Sequence, residues 1–276
     1  MIITRELTFT YIYASQPAIR NVNLEIEDGE FVLCLGATGS GKTTLCRCFN
    51  GLIPHFHKGK LEGCVKVNGL DTRFHPVYRL ALNVGLVFQN PEEQLVALTV
   101  EKELAFGPEN LAMERNEIIR RIKEVSDILG IGHLAGRRTF FLSGGEQQKV
   151  AIGSILALDP SILVLDEPTA NLDPHSAEKL VEIVKKLNKD GVTVIVTEHR
   201  VDLFAKHATR AILMEKGHIL MDGKPRDVLP SEEARRIGVT VKLIELYRKL
   251  SEAGLSLPYP PLSVDEACKL LEEALK

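Results

Sequence analysis

A glycine-rich segment near the start of the chain has the spacing of a phosphate-binding loop. The pattern G-x-x-x-x-G-K-[ST] is matched by Gly36-Ala37-Thr38-Gly39-Ser40-Gly41-Lys42-Thr43. This segment lies between the apolar run Phe31 to Leu35 and a predicted helix that includes Thr44. The glycines let backbone N–H groups face phosphate oxygens, and the helix N-terminus adds positive potential. We expect Lys42 to neutralise the β- and γ-phosphates and Thr43 to ligate Mg²⁺. A chance glycine-rich turn is the alternative, and the strand and helix on either side favour the phosphate site.

Two acidic residues follow a second apolar run. Ile162 to Leu165 is a predicted buried strand, and Asp166 and Glu167 come directly after it. Asp166 is placed to hold Mg²⁺, and Glu167 is placed to polarise an attacking water. Acidic turn residues commonly end strands, so this pattern depends on the phosphate loop upstream for its functional interpretation.

A third segment, Leu142-Ser143-Gly144-Gly145-Glu146, precedes an apolar run from Val150 to Leu156. Ser143 and Glu146 fit the S-x-x-E capping box, in which the hydroxyl caps its own helix. A helix N-terminus with two glycines can also bind an anion, and the two interpretations are compatible.

This third segment resembles the LSGGQ signature loop of ABC-type ATPases, with Glu146 at the usual glutamine. The resemblance extends from residue 1 to about 224 and includes Gln89 as the Q-loop glutamine, Asp173 in the D-loop and His199 as the switch histidine. It implies that Gln89 senses Mg²⁺ and the attacking water, and that His199 contacts the γ-phosphate. It also implies that Ser143, Gly144 and Gly145 meet the γ-phosphate bound by a second subunit, near whose phosphate loop Asp173 would lie.

Tyr11 resembles the aromatic residue of this family that stacks on adenine. It lies upstream of the phosphate loop in a predicted strand. Phe9, Tyr11 and Tyr13 would share one strand face by alternation, so packing is the alternative for any of them.

The elements needed to position these residues predict an α/β fold of the P-loop NTPase type. Strands are predicted over residues 1 to 35, at Ile162 to Leu165 and at Val192 to Val196, with helical spacing between them, so the sheet should be mainly parallel. We expect an ABC ATPase domain over residues 1–225. It should have an N-terminal antiparallel β region, an inserted helical subdomain at about 92–157 and a hairpin around Lys216-Gly217. The amphipathic face of the helical subdomain is predicted to contain Ile118, Ile119, Ile122, Val125 and Leu129.

Residues 226–276 are predicted to form a small helical C-terminal appendage, in which Ser263 and Glu266 fit a capping box. Phe88 to Gln94 and Val100 to Asn110 resemble the ATPases of energy-coupling factor (ECF) importers for vitamins, cobalt or nickel. In that group the C-terminal region helps two ATPases to pair, whereas the alternative is packing on its own body. We expect Glu92 to Asn110 to form the docking groove for a membrane partner, with Glu101 and Glu103 on its surface.

The resemblance implies ATP and Mg²⁺ as cofactors and ATP hydrolysis coupled to transport as the activity. The implied partners are a second ATPase subunit, identical or related, a transmembrane coupling subunit and a substrate-binding membrane subunit. The chain would then lie at the cytoplasmic face of the membrane. No apolar run reaches the length of about 20 residues that a membrane helix needs, and the N-terminus lacks the apolar stretch of a signal peptide.

Composition and motif details separate the competing functions. A net charge of −3 does not favour a nucleic-acid partner, and five cysteines at irregular spacings favour a reducing compartment. Asn188-Lys189-Asp190-Gly191 fails the guanine-reading N-K-x-D pattern, which counts against a GTPase. An ABC ATPase of DNA repair or translation is the remaining alternative, although such proteins usually carry two cassettes or long insertions. A non-catalytic subunit would tend to lose Lys42 or Glu167.

Overall fold

The computed structural model describes residues 1–239 and 241–275, and its strands form two sheets. A four-stranded antiparallel sheet has the order β2-β1-β4-β5, and a six-stranded sheet has the order β10-β9-β3-β8-β7-β6. The strands are β1 (Ile2–Tyr11), β2 (Ile19–Ile26), β3 (Phe31–Leu35), β4 (Gly59–Val67), β5 (Leu70–Asp71), β6 (Val84–Val87), β7 (Ile162–Asp166), β8 (Thr193–Thr197), β9 (Arg210–Glu215) and β10 (His218–Gly223).

Four parallel strands of the six-stranded sheet are fully buried. In β3, β6, β7 and β8 every residue is buried, as expected for short apolar runs covered on both faces. β9 and β10 form the predicted hairpin, in which Lys216 and Gly217 both have positive φ, 48° and 85°. The α/β class, the antiparallel N-terminal region and the mainly parallel core are therefore confirmed.

Alternation along the strands divides the core into two clusters. Phe31, Leu33 and Leu35 of β3 face one cluster, and Val32 and Cys34 face the other. The first cluster is covered by helices, and the second is covered by the N-terminal sheet and the first helix. The six-stranded sheet is thus packed on both faces, and the position of the loops at its edges depends on this packing.

The N-terminal sheet differs from the sequence prediction at one end. Phe9 is fully buried, Tyr11 is half-buried and ends β1, and Tyr13 is 97% exposed. The expectation that these three residues share one strand face is wrong for Tyr13. The chain turns directly after Tyr11, whose carbonyl accepts a hydrogen bond from the N–H of Ala14.

Helices connect the strands, and most of those after α1 lie on the side of the first cluster. They are α1 (Lys42–Phe49), α2 (Leu52–His55), α3 (Val77–Leu80), α4 (Val100–Asn110), α5 (Arg115–Leu129), α6 (Gly144–Leu156), α7 (Pro174–Lys189), α8 (Val201–Phe204), α9 (Pro225–Val228), α10 (Glu232–Arg236), α11 (Lys242–Glu252) and α12 (Val264–Ala274). Three short 3₁₀ helices occupy Pro91–Glu93, Gly132–Leu134 and Thr139–Phe141. No helix in the described ranges is both long and apolar enough to cross a membrane.

The amphipathic face predicted for α5 is confirmed at three residues and wrong at one. Val125 and Leu129 are buried, and Ile122 packs against the same cluster. Ile119 is 56% exposed. It follows Ile118 by one residue, or about 100° around the helix, and therefore leaves the buried face.

The C-terminal helices pack on the body of the molecule. Val228, Ala234 and Ile244 belong to the same apolar cluster as the central strands. At α12 the hydroxyl of Ser263 accepts from the N–H of Glu266 at 3.3 Å, as predicted. The second half of the capping box is absent, because the Glu266 carboxylate accepts instead from the N–H of Leu262 and from Arg226.

Candidate active site

The candidate site lies at the carboxyl edge of the parallel strands. The phosphate loop follows β3, Gln89 follows β6, Glu167 follows β7 and His199 follows β8. Because neighbouring parallel strands end at the same edge, these loops converge there, which is the usual position of ligands in such sheets. A cavity of about 330 Å³ opens at this edge, lined by Ala18, Thr38, Gly39, Ser40, Gly41, Lys42, Thr43, Thr44, Gln89 and Glu167.

The geometry of the phosphate loop fits a bound polyphosphate. Lys42 is 4% exposed, and its Nζ donates to the carbonyls of Gly36 at 2.7 Å and Ala37 at 3.1 Å. The hydroxyl of Ser40 is buried with no hydrogen-bond partner in the described part of the chain. A buried cation and an unpaired hydroxyl beside a loop of backbone N–H groups match the needs of phosphate oxygens.

At two positions of this loop only glycine fits for steric reasons. Gly36 has φ 151°, and a Cβ there would lie 2.3 Å from the carbonyl oxygen of Met214. Gly41 has φ 106°, and its Cβ would lie 2.6 Å from the carbonyl oxygen of Ala18. Any side chain at either position would displace neighbouring backbone, so the curl of the loop depends on both glycines.

Three side chains predicted to act together meet in the structure. Gln89 Nε2 donates to Glu167 Oε2 at 2.8 Å, and His199 Nε2 lies 3.0 Å from Glu167 Oε1. Glu167 has φ 48°, and its N–H is held by the carbonyl at 3.0 Å and the hydroxyl at 3.1 Å of Thr197. Such a left-handed conformation in a non-glycine residue is strained and frequently marks a functional position.

Asp166 lies one residue before Glu167 and is almost completely buried at the end of β7. Its carboxylate accepts a hydrogen bond of 2.6 Å from the hydroxyl of Thr197 on the neighbouring strand. The carboxylate is thereby oriented by a side chain of β8. An oriented carboxylate at the carboxyl end of a strand is suited to a hard divalent cation such as Mg²⁺.

The signature-like segment begins a helix outside this cavity. Ser143 is the N-cap of α6, and the complete capping box with Glu146 is present, as predicted. The N–H and hydroxyl of Ser143 donate to the Glu146 carboxylate at 2.8 and 2.9 Å, and these bonds lower the pKa of Glu146. Ser143, Gly144 and Gly145 are not among the residues that line the cavity of the phosphate loop.

The loop that precedes α7 lies beside the signature segment. Asp173 is exposed and caps α7 by accepting from the N–H of Ser176 at 3.1 Å, a contact that lowers its pKa. A Cβ on Gly144 would lie 3.4 Å from the carbonyl oxygen of Asn171, and one on Gly145 would lie 3.2 Å from Ser176 Oγ. The structure therefore brings the predicted D-loop to Ser143–Gly145 of the same chain rather than to its own phosphate loop.

Tyr11 lies next to the phosphate loop at the first turn of α1. Its hydroxyl is 3.1 Å from Thr44 Oγ1, and its ring meets Phe9 edge to face with 4.8 Å between centroids. The ring of His57 is 6.3 Å away. Tyr11 is therefore positioned at the side of the loop where a base attached to bound phosphates could reach it.

Two residues with clear structural roles were missed in the sequence. Glu198 is 2% exposed and accepts hydrogen bonds from Thr169, His199 and Arg200. Gln94 accepts from the N–H of Phe88 at 3.0 Å and donates to a carbonyl of α6, also at 3.0 Å. An acid between an apolar strand and the predicted switch histidine was the only local signal for Glu198, because Thr169 is distant in sequence.

The fold and the site define a P-loop nucleoside triphosphatase. A family model described as ABC transporter matches residues 19–170. A relative from Pyrococcus horikoshii, named "Putative ABC transporter ATP-binding protein PH1815", is 42% identical over 99% of this chain and 97% of its own length. The chain belongs to the ABC transporter family of ATP-binding, ATP-hydrolysing subunits.

Solved structures agree with this assignment. CbiO1 of Clostridium perfringens, part of the ABC transporter complex CbiONQ, is 28% identical with a TM-score of 0.74, covering 90% of this chain and 98% of its own. The cassette MJ0796, solved as a dimer with ADP and phosphate in a post-hydrolysis state, is 32% identical with a TM-score of 0.72. The match covers 82% of this chain and 99% of the MJ0796 chain. The chain spans only 42% and 39% of the length of two relatives from Methanosarcina mazei and Methanosarcina acetivorans.

Proposed function

We propose that this chain is the ATP-hydrolysing subunit that energises an ECF-type membrane importer, and that it works as an ATP-sandwich dimer. One observation carries the proposal: the phosphate loop and the signature-like segment, which the family resemblance assigns to one nucleotide site, do not share a cavity within a single chain. The phosphate loop, Gln89 and Glu167 line one cavity, whereas Ser143 to Gly145 start α6 outside it. A second subunit that presents its own Ser143–Gly145 segment over this cavity completes the site.

Each residue of the composite site has a proposed role. Lys42 and the loop amides bind the phosphates, Tyr11 stacks on adenine, and Asp173 lies at the subunit interface. The full set of proposed nucleotide contacts is Tyr11, Gly36, Ala37, Thr38, Gly39, Ser40, Gly41, Lys42, Thr43 and Thr44 of one subunit, with Ser143, Gly144, Gly145 and Asp173 of the other.

The chemistry follows from the residues at the strand ends. Thr43, Gln89 and Asp166 are the proposed Mg²⁺ ligands, and Mg²⁺ supplies positive charge against the negative charge of the reacting phosphates. Glu167 polarises the attacking water, because its carboxylate is held at the cavity wall by two neighbours. His199 contacts the γ-phosphate and keeps Glu167 in place.

The docking surface for the membrane partner is proposed to include the loop before α4. Val96 and Leu98 are 64% and 66% exposed, and Phe141 is 74% exposed. The N–H of Thr139 donates to the carbonyl of Leu98 at 3.2 Å, and its hydroxyl donates to the carbonyl of Ala97 at 2.7 Å. The loop before α4 and the loop that contains Phe141 therefore lie side by side. Exposed apolar groups of this kind commonly mark an interaction site.

A direct connection leads from this surface to the reacting groups. The side chain of Gln94 binds both the backbone of Phe88, one residue before Gln89, and the carbonyl of Ala151 in α6. Displacement of the docking loop therefore moves Gln89 relative to the signature helix. Glu101 is exposed and suited to test the docking, whereas Glu103 is buried, so the expectation that both are surface charges is wrong for Glu103.

The importer type rests on the ECF-like motifs and on the likeness to CbiO1, which is part of a transporter complex. We propose residues 1–225 as the ATPase domain, with the helical subdomain inserted at about 92–157. We propose residues 226–276 as the region that helps two subunits to pair, with Val264 exposed on α12. The implied companions are a coupling subunit and a substrate-binding subunit for a vitamin or transition-metal ion, at the cytoplasmic face of the membrane.

The paired site can be tested with Glu167→Gln in the full chain. The amide keeps the shape of the side chain but removes the base, so hydrolysis should slow by about 10²- to 10⁴-fold. ATP should then remain bound after rapid desalting, at about one ATP per subunit, and light scattering should report an ATP-dependent dimer.

Addition of Ser143→Arg to this variant should abolish ATP retention, because the larger side chain fills the position of the γ-phosphate in the neighbouring subunit's site. Retention that is unaffected by Ser143→Arg, or a Glu167→Gln variant that hydrolyses ATP at the wild-type rate, refutes the two-subunit site. Copurification of the membrane complex through this chain tests the importer: a coupling subunit with a substrate-binding subunit supports it, and DNA-repair or ribosomal companions contradict it.

A further inference from the structure

Glu198 is a buried carboxylate that connects two loops of the site. It follows β8 directly, and its Oε1 accepts from the N–H of Thr169 at 3.0 Å and from the Thr169 hydroxyl. Its Oε2 accepts from the N–H groups of His199 at 2.9 Å and Arg200 at 3.0 Å. One oxygen thus serves the turn after β7, and the other serves the loop that carries His199.

A second contact runs parallel to the first. The guanidinium of Arg200 donates to the carbonyl of Leu172 at 3.3 Å, at the other end of the turn that begins with Thr169. This turn ends at Asp173 and lies against the signature segment, since a Cβ on Gly145 would also be 3.9 Å from the side chain of Leu172. Two separate links therefore join the loop of His199 to the turn next to Asp173.

We propose that Glu198 is a positioning residue that makes the switch loop and the 169–172 turn move as one body. Contact between His199 and the γ-phosphate is thereby transmitted to Asp173 and the signature segment, which a second subunit meets. The inference rests on the proposed two-subunit function. In this proposal Glu198 does not contact the nucleotide. It couples the contact between His199 and the nucleotide to the closure of the two subunits.

Glu198→Gln is an informative variant because the two carboxylate oxygens serve different loops. The glutamine has nearly the same volume but only one acceptor oxygen, and its NH₂ group would face N–H donors. One of the two loops must therefore lose its acceptor, whichever way the amide turns. The variant therefore breaks the link between the two loops but keeps the packing around residue 198.

The expected result is a split between binding and turnover. Glu198→Gln should leave the KM for ATP within about twofold and lower kcat by about 10- to 100-fold, the range of a typical coupling between two sites. In the Glu167→Gln background it should lower ATP retention by a similar factor. Thr169→Val, which removes the hydroxyl donor, should also lower kcat. Thr169→Ser, which keeps the hydroxyl, should have a kcat near that of the wild type.

Glu103→Gln is the matched control, because Glu103 is also 2% exposed and also accepts from backbone N–H groups, two of them against three for Glu198. Its kcat in the isolated subunit measures the change that follows from weakening a buried carboxylate outside the switch loop. If Glu198→Gln changes kcat no more than Glu103→Gln does, or if its effect simply adds to that of Thr169→Val, the coupling role is wrong.

The two proposals fail in different ways. If the Glu167→Gln variant itself retains no ATP, the two-subunit function is wrong. If Glu167→Gln retains ATP and the double variant with Glu198→Gln retains it equally well, only the role of Glu198 is wrong.

Discussion

Reversing the charge of Glu103 should destabilise the protein, whereas reversing that of Glu101 should not. Glu103 is 2% exposed, and its Oε2 accepts from the N–H of Val96 at 2.9 Å and of Ala97 at 2.6 Å. A hydrogen bond to a charged group contributes about 1.5–3 kcal/mol. Loss of both bonds, together with burial of an uncompensated ammonium group, should cost Glu103→Lys about 3–5 kcal/mol. Glu101 is exposed, so its reversal should stay within about 0.5 kcal/mol.

Thermal unfolding followed by circular dichroism measures this difference. For a chain of this size each kcal/mol shifts Tm by about 2–4 °C, so Glu103→Lys should lower Tm by at least roughly 6 °C. Glu101→Lys should shift it by less than about 2 °C. Glu103→Gln, which keeps one acceptor oxygen, should fall between the two. A Glu103→Lys variant with the Tm of the wild type would refute the conclusion that this carboxylate holds the 96–97 loop, and it would place Glu103 on the docking surface after all.

Three further predictions concern other parts of the molecule. Lys42→Ala should abolish Mg²⁺-dependent ATP binding in a fluorescence titration without loss of the folded state, and tight binding would contradict the phosphate-loop assignment. Burial raises the pKa of Cys34 to about 12, so at pH 8 a thiol reagent should label exposed Cys268 in the native protein and Cys34 only after unfolding in urea. Glu146→Gln removes a negative charge beside Ser143 and should lower the ATP concentration for half-maximal hydrolysis by up to about fivefold, equivalent to about 1 kcal/mol; an unchanged value would show that residue 146 serves only the cap.

The motifs and the fold class could be predicted because they depend on local patterns. Apolar runs, a glycine-rich turn and a capping box each involve a few consecutive residues, and their order along the chain fixed the α/β class. Glu103 shows what such patterns miss. An acid in the first turn of a helix is usually solvated, and this one is a buried acceptor only because the preceding loop folds back over the turn. Glu198 was missed for a similar reason, since Thr169 lies 29 residues away.

The order of the strands explains why the Glu167 carboxylate contacts two different loops. In the sheet, as along the chain, β7 lies between β6 and β8, whereas β3 lies beside β8. Glu167 therefore has Gln89 on one side and His199 on the other, and each contacts a different carboxylate oxygen. Under the two proposals, the membrane partner acts on the β6 side through Gln94, and the second subunit acts on the β8 side through Glu198. Because both inputs end on one side chain, hydrolysis requires that both loops be in place, and a subunit that lacks either partner should hydrolyse ATP slowly.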